Sequence, residues 1–140
     1  LLAELQEEFH MGLILITHDL GVVARVAHKV AVMYAGEIVE QGTVQEIFRN
    51  PLHPYTQGLI DCIPIPGKTP RGSMLGSIPG VVPSLIGDLR GCAFRDRCKL
   101  ARPDCAEPVP LRPAGPDGRA YRCVIDHAPA QEMPARSLTA

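Results

Sequence analysis

The sequence predicts an α/β segment over residues 1–50, followed by an irregular, loop-rich, cysteine-containing extension. Three observations carry that division. The first fifty residues hold no proline, and their apolar positions alternate between helix-like and strand-like spacing. All 14 prolines lie beyond residue 50, and four of the five cysteines fall between residues 92 and 123. Charge divides at the same place: seven acids face three Lys/Arg in residues 1–50, whereas eight face eleven in residues 51–140.

Within the front piece, 1–10 reads as a helix with Leu2, Leu5 and Phe9 on one face and Gly12 as its stop. Leu13-Ile14-Leu15-Ile16 is a short continuous apolar run, which predicts a strand buried on both faces. A second helix follows over 20–27, with Thr17 or Asp19 available as N-cap. Val30–Tyr34 is the next strand, Gly36 its turn, and Glu37–Glu40 the hairpin partner. Thr43 caps a further helix, with Glu46 three residues on to close a capping box. Helix, strand, helix, strand is the grammar of a covered α/β sheet, but fifty residues cannot complete one. With Leu1 in place of an initiator Met, the front piece reads as the end of a larger α/β domain.

The back piece opens with an expected helix over 53–63, where Tyr55, Leu59 and Ile63 share a face and Pro64 and Pro66 end it. Residues 64–91 mix Pro and Gly with Met74, Leu75, Ile78, Val81, Val82, Leu85, Ile86 and Leu89, which predicts a strap packed on the rest. Gly67-Lys68-Thr69 imitates the end of a phosphate loop. However, Cys62 stands where that loop needs its first glycine, and Pro70 follows at once. Residues 127–140 are small, polar and aperiodic, and are expected to be a disordered tail.

A net charge of −1 with 21% charged residues gives no electrostatic case for nucleic acid. No apolar run reaches bilayer length, and no charged segment precedes an apolar one at the start. His18 is the first residue with chemical promise. It follows an expected strand directly, where α/β sheets collect their ligands, and an imidazole there can bond a phosphate oxygen or position water. The plain alternative is a half-exposed histidine at a helix start.

Cys92, Cys98, Cys105 and Cys123 are the second candidate. Four thiols in a loop-rich segment suggest a staple in place of a core. Structural zinc favours tighter cysteine pairs than these, an iron–sulfur cluster tolerates several spacings, and a disulfide needs an oxidising compartment. Arg90, Arg95, Arg97, Lys99, Arg102, Arg119 and Arg122 surround the four and would stabilise thiolates. Spacing and charge leave zinc and iron–sulfur open. Cys62 stands apart and reads as a small apolar residue.

Leu15–Leu20 (LITHDL) and Val32–Gly42 (VMYAGEIVEQG) resemble the end of an ABC transporter nucleotide-binding domain. Ile47–Thr56 (IFRNPLHPYT) is similar to the C-terminal extension of the oligopeptide/dipeptide (and nickel) importer ATPases. The resemblance implies 1–50 as the C-terminal part of that domain and 51–126 as the extension. It places His18 on the switch histidine that contacts the γ-phosphate of ATP, with Mg²⁺ bound by segments outside this sequence, so the chain alone should not hydrolyse ATP. It implies Cys92, Cys98, Cys105 and Cys123 as ligands of a [4Fe–4S] cluster, with zinc as runner-up. Implied partners are a second ATPase subunit, two membrane permease subunits and, indirectly, an extracytoplasmic substrate-binding protein. The implied location is peripheral, on the cytoplasmic face of the membrane. The rival from another class is a non-catalytic, metal-stapled interaction module.

Overall fold

In the computed structural model, residues 2–63, 76–84, 90–115 and 117–126 are described. The elements run α1 (Leu2–Phe9), α2 (Leu20–Val26), β1 (Lys29–Tyr34), β2 (Glu37–Thr43), α3 (Val44–Arg49), α4 (Pro54–Asp61), two 3₁₀ turns (Arg95–Arg97 and Pro103–Ala106), β3 (Arg112–Pro113) and β4 (Ala120–Tyr121). The sheet order is β1-β2-β4-β3, antiparallel throughout. None of the described helices is long and apolar enough to cross a membrane.

The β1–β2 hairpin turns through Ala35 and Gly36, both at positive φ (49° and 83°). Two successive left-handed residues make the tight turn whose twist matches the strands, and glycine accepts the second without strain. Val32 and Tyr34 point into the core while Ala31 and Met33 face out. The capping box forms as the sequence predicts. Thr43 Oγ1 accepts the Glu46 N–H at 3.3 Å, and the Glu46 carboxylate accepts the Thr43 N–H at 2.8 Å. Asp19, rather than Thr17, caps α2 by accepting from Gly21 and Val22.

One expected element is absent. Residues 11–17 carry no strand, and Ile14 and Ile16 are 92% and 95% exposed. A strand exists only by pairing, and residues 13–16 pair with none of the described strands. The same lack of cover leaves Phe9 on α1 exposed. Helix α1 stops at His10, which takes the left-handed conformation (φ 50°) ahead of Gly12.

The core is Val32, Tyr34, Val39, Ile47, Phe48 and Phe94, so it joins the hairpin and α3 to a residue far along the chain. Tyr34, Tyr55 and Phe94 form a ring cluster with centroids 4.7–5.3 Å apart. Within the expected strap, residues 64–75 and 85–89 lie outside the described residues, as does the expected tail. Ile78 and Pro79 are held by Arg97, whose guanidinium donates to both carbonyls (2.8 and 2.9 Å) and to the Tyr34 hydroxyl at 3.2 Å.

Candidate functional site

Strand β4 brings the two halves of the chain together. It pairs Tyr121 with Glu40 and Ala120 with Gln41, and the Arg122 N–H continues the ladder to the Val39 carbonyl at 2.8 Å. The next residue is Cys123, which packs with Leu52 and Tyr121 in a second buried cluster. Cys92 is fixed from the other side, where its N–H donates to the Cys105 carbonyl at 2.8 Å. That contact requires Gly91. Its φ is +75°, and a Cβ there would run into the Cys105 and Ala106 carbonyls.

The result is one cavity whose walls include Cys92, Cys98, Cys105 and Cys123, together with His53, Phe94 and Arg95. Cys105 and Cys123 are buried, and Cys92 and Cys98 are half-buried. Each sulfur accepts backbone N–H groups from its own turn. Phe94 donates to Cys92, Leu100 to Cys98, and Ile125 and Val124 to Cys123. The Arg102 N–H lies 3.4 Å from the Cys105 sulfur. Burial pushes the Cys92, Cys98 and Cys123 thiols above their ordinary range, and the neighbouring cysteines push the same way. Left alone, these thiols hold their protons; a shared positive centre would reverse that balance.

The surrounding cations are arranged differently from the sequence expectation. Only Arg95 lines the cavity. Arg97 holds the 78–79 segment, Arg122 bonds the Ile38 and Val109 carbonyls, and Arg119 bonds Asn50 and faces Glu46. Among the described residues, no group of three or more His, Cys, Asp or Glu has the spacing to hold a metal ion. Four thiolates around one zinc must each reach about 2.3 Å from the metal. A four-iron cluster takes one thiolate per iron, so its ligands stand farther apart.

His18 is not part of this cavity. It occupies an exposed bend just before the Asp19 cap of α2. Cys62, at the C-cap of α4, is half-buried and also apart from the four.

Two residues passed over by sequence reasoning organise the site. Glu40 is fully buried, and its carboxylate accepts the Leu52 N–H at 2.7 Å and the His53 N–H at 2.9 Å. Burial raises its pKa from the ordinary value of 4.5 against the pull of those two N–H groups. His53, 1% exposed, caps α4 by accepting the Tyr55 N–H on Nδ1 at 3.1 Å. The available signal was the Asn50-Pro51-Leu52-His53-Pro54 run, where proline at the first helical position makes the preceding residue a cap.

Comparison with known proteins shows what the chain is similar to. The model of the oligopeptide/dipeptide transporter C-terminal region matches residues 39–105. This stretch is similar to that family's C-terminal region. A putative peptide import ATP-binding protein of Brucella ovis is 46% identical over 128 residues, covering 89% of this chain and 38% of the relative. A dipeptide transport ATP-binding protein of Lactococcus lactis is 46% identical over 142 residues, 100% of this chain and 40% of its own length. An oligopeptide transport ATP-binding protein of Salmonella typhimurium is 45% identical over 112 residues, 79% and 34% respectively. The chain thus spans well under half the length of these relatives. The region matched by the family model includes most of β2, α3, α4 and three of the four cavity cysteines.

Proposed function

We propose that the chain forms the C-terminal part of the ATP-binding subunit of an ABC importer for peptides, coupling ATP binding and hydrolysis to uptake. The observation that carries this is the family match over residues 39–105, joined to 46% identity with peptide import and dipeptide transport ATP-binding proteins. In such a subunit, residues 1–50 belong to the nucleotide-binding domain and 51–126 to the extension. His18 meets the γ-phosphate of ATP and the hydrolytic water. Phosphoryl transfer depends on positioned groups and Mg²⁺, so one histidine acts only within the assembled site. A second ATPase subunit and two permeases complete the machine, with this subunit peripheral on the cytoplasmic face.

Cys92, Cys98, Cys105 and Cys123 would hold a [4Fe–4S] cluster in the extension. Their shared cavity and the backbone N–H groups on their sulfurs support this, since such bonds stabilise thiolate ligands. The cluster would supply a covalent staple and a one-electron centre.

Replacing His18 with Ala in a subunit of the relatives' length, assembled with its permeases, tests the ATPase role. The expected result is a fall in ATP turnover of a hundredfold or so with nucleotide binding retained; unchanged turnover rejects it. Iron, sulfide and zinc assays on anaerobically purified protein, with its visible spectrum, test the cluster. About four irons and four sulfides per chain are expected. A colourless protein with one zinc would replace the cluster with a single-ion staple.

A further inference from the structure

His18 stands between Thr17 and Asp19, and hydrogen bonds fasten both neighbours to one another and to α2. The Asp19 N–H donates to Thr17 Oγ1 at 3.0 Å. Asp19 Oδ1 accepts the Gly21 N–H at 2.8 Å and the Val22 N–H at 3.1 Å. The Asp19 carbonyl accepts the Val23 N–H at 3.1 Å, the first bond of the helix. Gly21 leaves room for this cap, since a Cβ there would lie 3.1 Å from Asp19 Oδ1. Helix α2 is anchored in turn, because Leu20 and Val23 pack against the core cluster. The Asp19 N–H belongs to the peptide plane that follows His18, so its bond to Thr17 restricts the ψ torsion of His18. With that backbone set, the imidazole keeps only its side-chain torsions.

We infer that Asp19 and Thr17 are positioning residues for His18: the Asp19 cap and the Thr17 turn pass the rigidity of α2 on to the imidazole, which is then in place before ATP arrives. This rests on the role at the γ-phosphate proposed above for His18. Phosphoryl transfer is catalysed by groups already in position, and a displacement of about 1 Å can cost on the order of a hundredfold in rate. A helix cap alone would need only the Asp19 side chain. The Thr17 hydroxyl bonds no N–H group of α2; it closes a turn whose middle residue is His18. Capping therefore accounts for Asp19 but not for the bond that spans the histidine.

The test measures kcat and KM for ATP in a subunit of the relatives' length, assembled with its permeases. Asp19→Ala is expected to lower kcat on the order of tenfold while KM stays within about twofold, because the other contacts to nucleotide are untouched. Asparagine accepts the same N–H groups, so Asp19→Asn should restore kcat to within about twofold of wild type. Thr17→Val keeps the side-chain shape, leaves the cap intact and should lower kcat about threefold. The His18→Ala/Asp19→Ala double variant should be no slower than His18→Ala, since a residue acting through the imidazole then has nothing to position. Thr43→Ala removes the comparable cap of α3 and should leave kcat within about twofold, which controls for lost stability. Unchanged kcat in both Asp19→Ala and Thr17→Val overturns the inference. So does a double variant well below His18→Ala, an Asn variant as slow as the Ala variant, or an equal loss in Thr43→Ala. Unchanged kcat in His18→Ala instead rejects the γ-phosphate role, and the positioning role falls with it.

Discussion

Residues 11–19 and residues 90–126 differ in the opposite sense from their sequences. The first stretch has the strongest strand signal in the chain, a run of four branched aliphatics, yet it forms no strand and is exposed. The second has almost no periodicity, yet it places Phe94, Cys105, Val109, Ala120, Tyr121 and Cys123 among the buried residues. Apolar composition creates a demand for burial, but meeting it requires a partner surface. Residues 90–126 meet it because β4 pairs with β2, while 13–16 pair with none of the described strands. Order in the cysteine region is thus imposed by contacts distant in sequence, including Arg122 to Ile38 and Gln41 to Gly118.

The largest test of that contrast is Gly91→Ala. The substitution places a Cβ in the left-handed region and against the Cys105 and Ala106 carbonyls, across the bond that joins Cys92 to Cys105. A loss of about 2–5 kcal/mol is expected in urea denaturation, combining backbone strain and overpacking. Gly118→Ala is the matched control. Its φ is +80° but nothing lies near an added Cβ, so only the strain, about 1–2 kcal/mol, should remain. Equal losses at the two glycines would mean that the close approach at Cys105 does not hold the cysteine turns together.

Glu40→Gln probes the junction between the regions. The two carboxylate oxygens accept separate N–H groups, and an amide can offer only one acceptor, which should cost about 1–3 kcal/mol. The pH dependence carries more information. Burial raises the folded pKa above 4.5, in opposition to the backbone N–H groups and the Arg119 charge. The folded chain therefore binds this proton more tightly than the unfolded chain. Glu40's contribution is complete below the unfolded value and declines as the pH rises through the folded one. The stability difference between wild type and Glu40→Gln should accordingly narrow as the pH rises from the unfolded value through the folded one. A widening difference would show that the N–H donors and Arg119 outweigh burial.

Local chemistry was the legible part of the sequence. Asp19, Thr43 with Glu46, the Ala35-Gly36 turn and Pro54 each act within a few residues, and α2, α3, α4 and the hairpin lie where those signals put them. Cys92, Cys98, Cys105 and Cys123 could be named from composition, but not brought to one cavity. Their convergence depends on the pairing of Tyr121 with Glu40, across eighty residues of chain, for which the sequence has no local signal. Glu40 was hidden for the same reason. A glutamate in an alternating strand reads as an exposed residue until the turn that it binds is folded against it.

The smallest expected effect bears most directly on the opening contrast. Ile14→Ser and Ile16→Ser in this chain should each change stability by no more than about 0.5 kcal/mol, since both side chains are already in water. In a subunit of the relatives' length, where a neighbouring strand would cover the run, the same replacements should cost about 2–5 kcal/mol through lost burial. Comparing the two backgrounds isolates the demand that the sequence makes from the partner that satisfies it. Matching small effects in both would show that 13–16 is a surface segment and that its aliphatic run has no strand to join. A large loss confined to the longer subunit would place His18 at the end of a buried strand, which is the position that its proposed role at the γ-phosphate requires.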